Sequence, residues 1–132
     1  MPDRIITVVS GVIQRDNKYL ITQRMEKAVL PLLWEFPGGR LEEGESPGEA
    51  LRRELKYRLG VDVEIGEQIS TTEEDYGDYA VRLNLYHCDL GGQEPEALRV
   101  RDLRWVASDE FSHYEFPPAD KASMDQLLFG SS

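Results

Sequence analysis

Residues 39–61 read GRLEEGESPGEALRRELKYRLGV, a polar loop that leads into a helix with strong start and stop signals. Ser46 is a favourable N-cap, Pro47 suits the first helical position, and Glu49 completes the pattern of a capping box. Gly60 is typical of the residue that ends a helix. The stretch therefore predicts a helix over residues 47–59 that follows a loop.

The faces of this helix separate an apolar stripe from a polar one. Leucines at positions 51, 55 and 59 recur every four residues, and we expect them to be buried. Glu54, Tyr57 and Arg58 stand three and four residues apart, so they are predicted to share one neighbouring stripe. Whatever Glu54 faces, Tyr57 and Arg58 are expected to face as well.

Apolar runs and turn residues on both sides of this stretch predict a mixture of strands and helices. Residues 5–13 and 19–24 are interpreted as a β-hairpin around Asp16-Asn17, and residues 34–39 as a short strand with a glycine turn. Further strands are predicted at 61–72, 79–90 and 103–106, with a polar turn over 73–78. A brief helical turn is predicted at 108–110, a last helix at about 120–129 and a frayed tail at 130–132.

Length and composition limit the class of protein. A chain of 132 residues with 40% apolar and 30% charged residues is expected to form one globular domain over residues 1–132. No apolar run approaches the roughly 18 residues of a membrane span, and residues 1–4 show no export signal. One cysteine, Cys88, allows no internal disulfide. We therefore expect a cytoplasmic protein, and its net charge of −10 argues against long nucleic acid as a partner.

The opening stretch resembles the Nudix box, whose pattern is G-x5-E-x7-R-E-U-x-E-E-x-G-U with U a bulky aliphatic residue. Every fixed position matches except the paired glutamates, which are Tyr57 and Arg58 here. Together with the segments WEFPGG at 34–39, LRWV at 103–106 and FPPAD at 116–120, the order is similar to the MutT-type branch of that superfamily. The resemblance implies an α/β (α+β) Nudix fold, in which a mixed β-sheet packs between helices. It also implies hydrolysis of nucleoside triphosphates to monophosphate and pyrophosphate.

The resemblance further implies a role for individual residues of the box. The Gly38 carbonyl and Glu54, with the positions of Tyr57 and Arg58, would hold Mg²⁺ or Mn²⁺, while Arg53 would pair with Glu45 and brace the loop. One more acid is often found in MutT relatives six positions before the tryptophan of LRWV. That position is Arg99 in this chain.

These departures invert the charge of the implied metal site. One glutamate, one tyrosine and two arginines replace four acidic groups, so binding of Mg²⁺ or Mn²⁺ is expected to be weak or absent. Arginine recognises phosphate through its planar fork of donors. Arg58 and Arg99 are therefore candidate phosphate ligands, beside Arg24 and the glycine turn at Gly38 and Gly39. The alternative for Arg58 is an ordinary helix surface with an ion pair to Glu54.

Two candidate contacts to a nucleobase also have structural alternatives. By resemblance, Asp120 in FPPAD lies at the base edge, where its carboxylate would accept hydrogen bonds from amino or ring N–H groups. The same residue is placed to N-cap the last helix. Tyr76 and Tyr79 either stack on a base or pack locally.

Three functions remain open from the sequence. The first is a MutT-like pyrophosphohydrolase that uses Glu54, and the second is a module that binds a nucleotide or phosphorylated metabolite without cutting it. The third is an interaction protein on a Nudix scaffold. A small phosphorylated ligand is the expected partner of the first two, and a homodimer is a further possibility.

Overall fold

The computed structural model describes residues 4–129, so the predicted tail at 130–132 lies outside the described residues. Eight strands and two α-helices form a single α+β domain, with one 3₁₀ helix at Ser108–His113. The strands are β1 (Ile5–Val12), β2 (Gln14–Arg15), β3 (Lys18–Gln23), β4 (Trp34–Glu35), β5 (Gly38–Arg40), β6 (Glu64–Asp75), β7 (Ala80–Asp89) and β8 (Asp102–Val106). The helices are α1 (Pro47–Leu59) and α2 (Pro118–Phe129).

A mixed four-stranded sheet lies at the centre, in the order β5-β1-β7-β6. β1 runs parallel to β7 and antiparallel to β5. Because side chains alternate along a strand, Val9 packs in the core that contains α1, whereas Val8 and Val12 pack in the core that contains α2. The two helices therefore cover opposite faces of the sheet, which confirms the predicted mixed sheet between helices.

The predicted hairpin of residues 5–13 with 19–24 is wrong in its pairing. Across the turn β3 pairs with the short strand β2, whereas β1 belongs to the central sheet. Its turn is confirmed, since Asp16 and Asn17 both have positive φ, at 52° and 63°, as a two-residue hairpin turn of this kind requires. The physical reason is burial, because β1 carries apolar side chains on both faces and the central sheet has a packed core on each face.

A second sheet forms around β3, which pairs with β2 and β4 on one side and with β8 on the other. Its short strand β4 runs antiparallel to β3 and is followed directly by the glycine turn and β5. The chain therefore passes from the second sheet to the central one at Phe36-Pro37, immediately before the loop of the opening stretch. Because of this crossing, Glu35 of the second sheet and Gly38 of the central sheet lie close together in the chain.

Helix α1 confirms the predicted start, end and buried stripe. Ser46 accepts the Glu49 N–H, and the Glu49 side chain accepts the Ser46 N–H, so the capping box is complete. Gly60 follows in the left-handed conformation, with φ of 71°. The leucines at 51, 55 and 59 are fully buried. Local signals are sufficient here because each one satisfies a backbone group at a helix end.

The strands after α1 differ from the prediction in their boundaries. β6 continues through Glu73–Asp75, so the turn to β7 is confined to residues 76–79. The acidic residues 73–75 pair with β7 residues across the antiparallel ladder, and this pairing overrides their low strand propensity. Neither α-helix of residues 4–129 is long and apolar enough to cross a membrane.

Candidate active site

Arg53 connects the loop before α1 to the helix itself. Its Nε and Nη2 atoms donate to the two carboxylate oxygens of Glu45 at 2.7 and 2.9 Å, and Nη2 also donates to the Arg40 carbonyl at 3.0 Å. The hydrogen bonds from Arg53 hold the pKa of Glu45 below its ordinary value. The structure therefore brings together the two residues that the sequence paired as the brace of this loop.

Glu54 lies beneath the glycine turn and is only 7% exposed. Arg53 Nη1 donates to its Oε1 at 2.7 Å, and Arg58 Nε donates to its Oε2 at 2.6 Å. A Cβ atom on Gly39 would overlap the Glu54 carboxylate, so glycine is required for this packing. Both oxygens of Glu54 are thus engaged by guanidinium groups.

A cavity of about 160 Å³ opens beside this arrangement, between the central sheet and the start of α2. Apolar side chains of β1 and β7 form one wall, and the turn residues Tyr76 and Tyr79 form another. Five charged residues line the remainder, namely Arg24, Glu35, Arg40, Arg58 and Asp120. The cavity therefore carries three basic and two acidic side chains.

The two acidic residues that line the cavity are Glu35 and Asp120. Arg24 Nη1 donates to Glu35 Oε1 at 2.9 Å, whereas the Asp120 side chain has no salt-bridge partner among residues 4–129. Burial raises the pKa of Asp120 well above its ordinary value, and the nearby Glu35 carboxylate raises it further. Burial also raises the pKa of Glu35, although Arg24 opposes that shift. Burial is therefore the main cause of the raised pKa of both groups.

Comparison with known families identifies this architecture. The profile described as NUDIX domain matches residues 8–126. The chain belongs to the Nudix family. The matched range contains the glycine turn, the box helix α1 and the start of α2, so it includes every charged residue of the cavity.

Named relatives place the chain in the MutT-like branch of the Nudix family. It is 32% identical to a CTP pyrophosphohydrolase of Escherichia coli over 95% of this chain and 93% of that protein. It is 29% identical to an 8-oxo-dGTP diphosphatase of Haemophilus influenzae over 97% and 95%, respectively. Among solved structures, the Escherichia coli ORF135 protein matches with a TM-score of 0.81 at 30% identity, covering 95% of this chain and 89% of that one. A MutT protein from methicillin-resistant Staphylococcus aureus matches with a TM-score of 0.77 at 35% identity, covering 99% and 100%.

Within the Nudix box, Tyr57 does not share the surroundings of Glu54, contrary to the prediction. Tyr57 is 59% exposed, and the guanidinium of Arg99 lies over its ring, 5.3 Å from the centroid. At about 100° per residue, position 57 is rotated about 60° from position 54 in one direction and position 58 about 40° in the other. Only Arg58 therefore turns toward Glu54 and the cavity. Arg99 is exposed and is not among the residues that line the cavity.

The side chains at the box positions do not match a divalent-ion site. Mg²⁺ and Mn²⁺ are bound by oxygen atoms of carboxylates, carbonyls, water and substrate phosphates, whereas the carboxylate of Glu54 here lies between two guanidinium groups. Within residues 4–129, no group of three or more His, Cys, Asp or Glu side chains is arranged to hold a metal. Gly38 lines the cavity, and the space of its absent side chain is filled by the Val9 carbonyl and Ser10 of β1.

Asp120 is not the N-cap of the last helix. α2 begins at Pro118, so Asp120 is its third residue and its carboxylate faces the cavity. The helix starts earlier than predicted because proline is well accommodated in a first turn, where its missing N–H has no partner to lose. Tyr76 and Tyr79 pack against each other edge to face, with their ring centroids 5.5 Å apart. Both line the cavity.

Glu35 and Arg40 were missed as site residues by reasoning from the sequence. Glu35 was interpreted only as part of a short strand, and Arg40 only as a residue of the box loop. One signal was available for Glu35, since a charged residue between two aromatic residues, directly before a glycine turn, is unusual for a buried strand. Arg40 carried no such signal, because an exposed arginine in a polar loop is common.

Proposed function

We propose that this chain binds a nucleoside di- or triphosphate in the cavity without hydrolysing it through a metal ion bound to the Nudix box. The observation that carries the proposal is the engagement of both Glu54 oxygens by Arg53 and Arg58. A divalent ion about 5 Å from one guanidinium would be repelled by roughly 6 kcal/mol at an effective dielectric constant near 20. Binding of Mg²⁺ or Mn²⁺, which Nudix proteins generally use, is accordingly weak or absent at this position.

The arginines that line the cavity supply the phosphate contacts in this proposal. Arg58 uses Nε for Glu54, and among residues 4–129 its two Nη groups donate to no protein atom. Those groups are therefore available for a bidentate contact with phosphate oxygens. Arg40 and Arg24 line the same cavity. Arginine thus provides the positive charge that a metal ion provides in related enzymes.

Glu35 and Asp120 supply the contacts to the nucleobase in this proposal. Glu35 and Asp120 present carboxyl oxygens that accept hydrogen bonds from a ligand. Cytosine and guanine carry exocyclic amino groups that a carboxylate accepts from, whereas uracil has none. The activities named for the relatives, on CTP and on 8-oxo-dGTP, agree with such a site. We expect bases with an amino group to be preferred.

A second candidate function is metal-dependent pyrophosphohydrolysis with an ion held elsewhere in the box loop. The names of the relatives favour it, and so does the position of Glu42, whose carboxylate lies 4.0 Å from Arg53 Nη2. If Glu42 and Glu45 turned toward an ion, Glu54 would serve as a third ligand after release from Arg58.

A cytoplasmic location and a homodimer stay predictions from the sequence.

One experiment separates the two functions. The purified chain is incubated with CTP, UTP, dGTP and 8-oxo-dGTP, with Mn²⁺, with Mg²⁺ or with a chelator, while hydrolysis and thermal stability are both followed. Stabilisation by CTP or 8-oxo-dGTP in chelator, without hydrolysis, is the expected result. Metal-dependent pyrophosphate release at ordinary enzymatic rates, about 1–10³ s⁻¹, would establish the hydrolase instead. The absence of both stabilisation and hydrolysis with every nucleotide would contradict both functions.

A further inference from the structure

The start of α2 is capped by a side chain from a distant part of the chain. The first N–H groups of a helix have no partner inside the helix, and Pro118 has no N–H. The next N–H, that of Ala119, donates to Tyr76 Oη at 3.2 Å across 43 residues of sequence. Tyr76 therefore caps the start of α2, a role that was one of the two alternatives for Asp120.

With this arrangement, Asp120 stands at the wall of the cavity. Asp120 is the next residue after Ala119, is 7% exposed, and lines the cavity together with Tyr76. An aspartate that capped its own helix would direct its oxygens to backbone N–H groups. Because Tyr76 satisfies the Ala119 N–H, the backbone partner of the Asp120 carboxylate is the N–H of Asp120 itself.

A second contact, from Thr72 in β6, holds the other side of Ala119. Thr72 Oγ1 lies 3.3 Å from the Ala119 carbonyl and 2.8 Å from Ser123 Oγ. Thr72 is not among the residues that line the cavity. The two hydroxyl groups thus anchor the same residue of α2, but only one of them belongs to the ligand site.

We infer that Tyr76 is a positioning residue that fixes Asp120 at the base edge of the cavity and thereby determines which nucleobase is bound. This inference rests on the proposed function of the cavity. Among the hydrogen bonds of residues 4–129, the Tyr76 hydroxyl accepts one and donates none. Its proton is therefore available to a ligand acceptor beside Asp120. Burial raises the pKa of Tyr76, so the hydroxyl stays neutral around pH 7.

The test compares Tyr76→Phe with Thr72→Val in the full chain. Each variant removes one hydroxyl that contacts Ala119, but only the first alters the cavity. Binding of CTP and of inorganic triphosphate is measured by titration calorimetry in chelator. Tyr76→Phe is expected to weaken CTP binding about fivefold to tenfold, the effect of one hydrogen bond, and to leave inorganic triphosphate unchanged. Thr72→Val is expected to lower thermal stability without changing the ratio of the two affinities.

Two further measurements do not depend on a ligand. Amide hydrogen exchange at Ala119 is expected to accelerate in Tyr76→Phe, because its N–H loses its acceptor. In Tyr76→Phe the Ala119 N–H becomes available to the Asp120 carboxylate, so the ¹³C titration midpoint of that group is expected to fall toward the ordinary value. In Thr72→Val the midpoint is expected to stay in place. Equal losses of CTP affinity in the two variants, or an unchanged Asp120 midpoint in Tyr76→Phe, would overturn the inference. If the wild-type chain bound no nucleotide, the proposed function would fail, while exchange and titration would still decide whether Tyr76 positions Asp120.

Discussion

Arg58 Nε lies 2.6 Å from Glu54 Oε2, one helical turn away, in an ion pair whose carboxylate side chain is only 10% exposed. Arg53 binds the other oxygen of the same carboxylate. A buried carboxylate with two guanidinium partners is a compensated charge, and removing one partner leaves that compensation incomplete. Arg58 therefore has two roles: it compensates the charge of Glu54 in the box helix, and it lines the cavity.

Replacing Arg58 with glutamine is expected to weaken nucleotide binding about tenfold to a hundredfold, the range for a lost charge-assisted hydrogen bond. Inorganic triphosphate should lose a similar factor, because the contact is to phosphate. Titration calorimetry in chelator measures both affinities. Arg52→Gln is the matched control, since Arg52 is exposed on the same helix and does not line the cavity. Equal losses in the two variants would show that only overall charge matters.

Rebuilding the acidic positions of the family should create a metal site. The triple variant Tyr57→Glu, Arg58→Glu and Arg99→Glu restores carboxylates around Glu54, and we expect its Mn²⁺ affinity to rise roughly tenfold or more, given the repulsion removed. Mn²⁺ binding is followed by electron paramagnetic resonance. Adding Glu54→Gln to the triple variant should abolish the gain. A triple variant that folds but binds no more Mn²⁺ than the wild type would refute our account of the altered site.

The buried acid Asp120 should make stability fall as the pH rises. Its pKa in the folded chain is raised well above the ordinary value of 3.8, so the native state binds more protons than the unfolded state. The stability due to neutral Asp120 is present below about pH 4 and is lost as the pH rises through the native pKa. Asp120→Asn is expected to melt at a higher temperature than the wild type at pH 7 and at a similar temperature near pH 4.

The control for this pH effect is Asp125→Asn, which changes an exposed aspartate of the same helix. Its melting temperature should follow the wild-type curve at every pH. Calorimetric melting between pH 4 and pH 8 provides the measurement. Parallel curves for wild type and Asp120→Asn would mean that Asp120 ionises normally in the folded chain.

Replacing Gly39 with alanine should damage stability and ligand binding together. The new Cβ would overlap the Glu54 carboxylate, and such overpacking typically costs about 1–3 kcal/mol. Displacement of Glu54 would also move Arg58, so nucleotide affinity should fall. Gly48→Ala is the matched control, because its nearest neighbour is Arg52 Nη1 at an ordinary 3.7 Å. Thermal melting and titration calorimetry measure the two effects, and a Gly39→Ala variant with normal affinity would show that Glu54 does not hold Arg58 in place.

Helix α1 illustrates what could be predicted from local sequence. Its cap, its last residue and its leucine stripe are all decided by groups within four residues of each other, and each was predicted correctly. The pairing of β1 was not, because the sequence shows that both faces of a strand are apolar but not which strands flank it. The partner β7 lies about 75 residues further along the chain, and only the complete sheet selects it.

The sequence by itself determined the family, the fold class and the departure from the family pattern at positions 57 and 58. It did not determine what replaced the metal ligands, because charges and hydrogen bonds depend on rotation about the helix and on contacts between distant elements. The sequence left the Arg58–Glu54 ion pair as one alternative, and the structure shows that pair with Tyr57 exposed. Only the tertiary structure brought Glu35 from one sheet beside Asp120 from the last helix and placed Tyr76 as the cap of that helix. The physical reason is that a buried carboxyl group acquires its charge state from its neighbours in space, and those neighbours are far apart in the sequence.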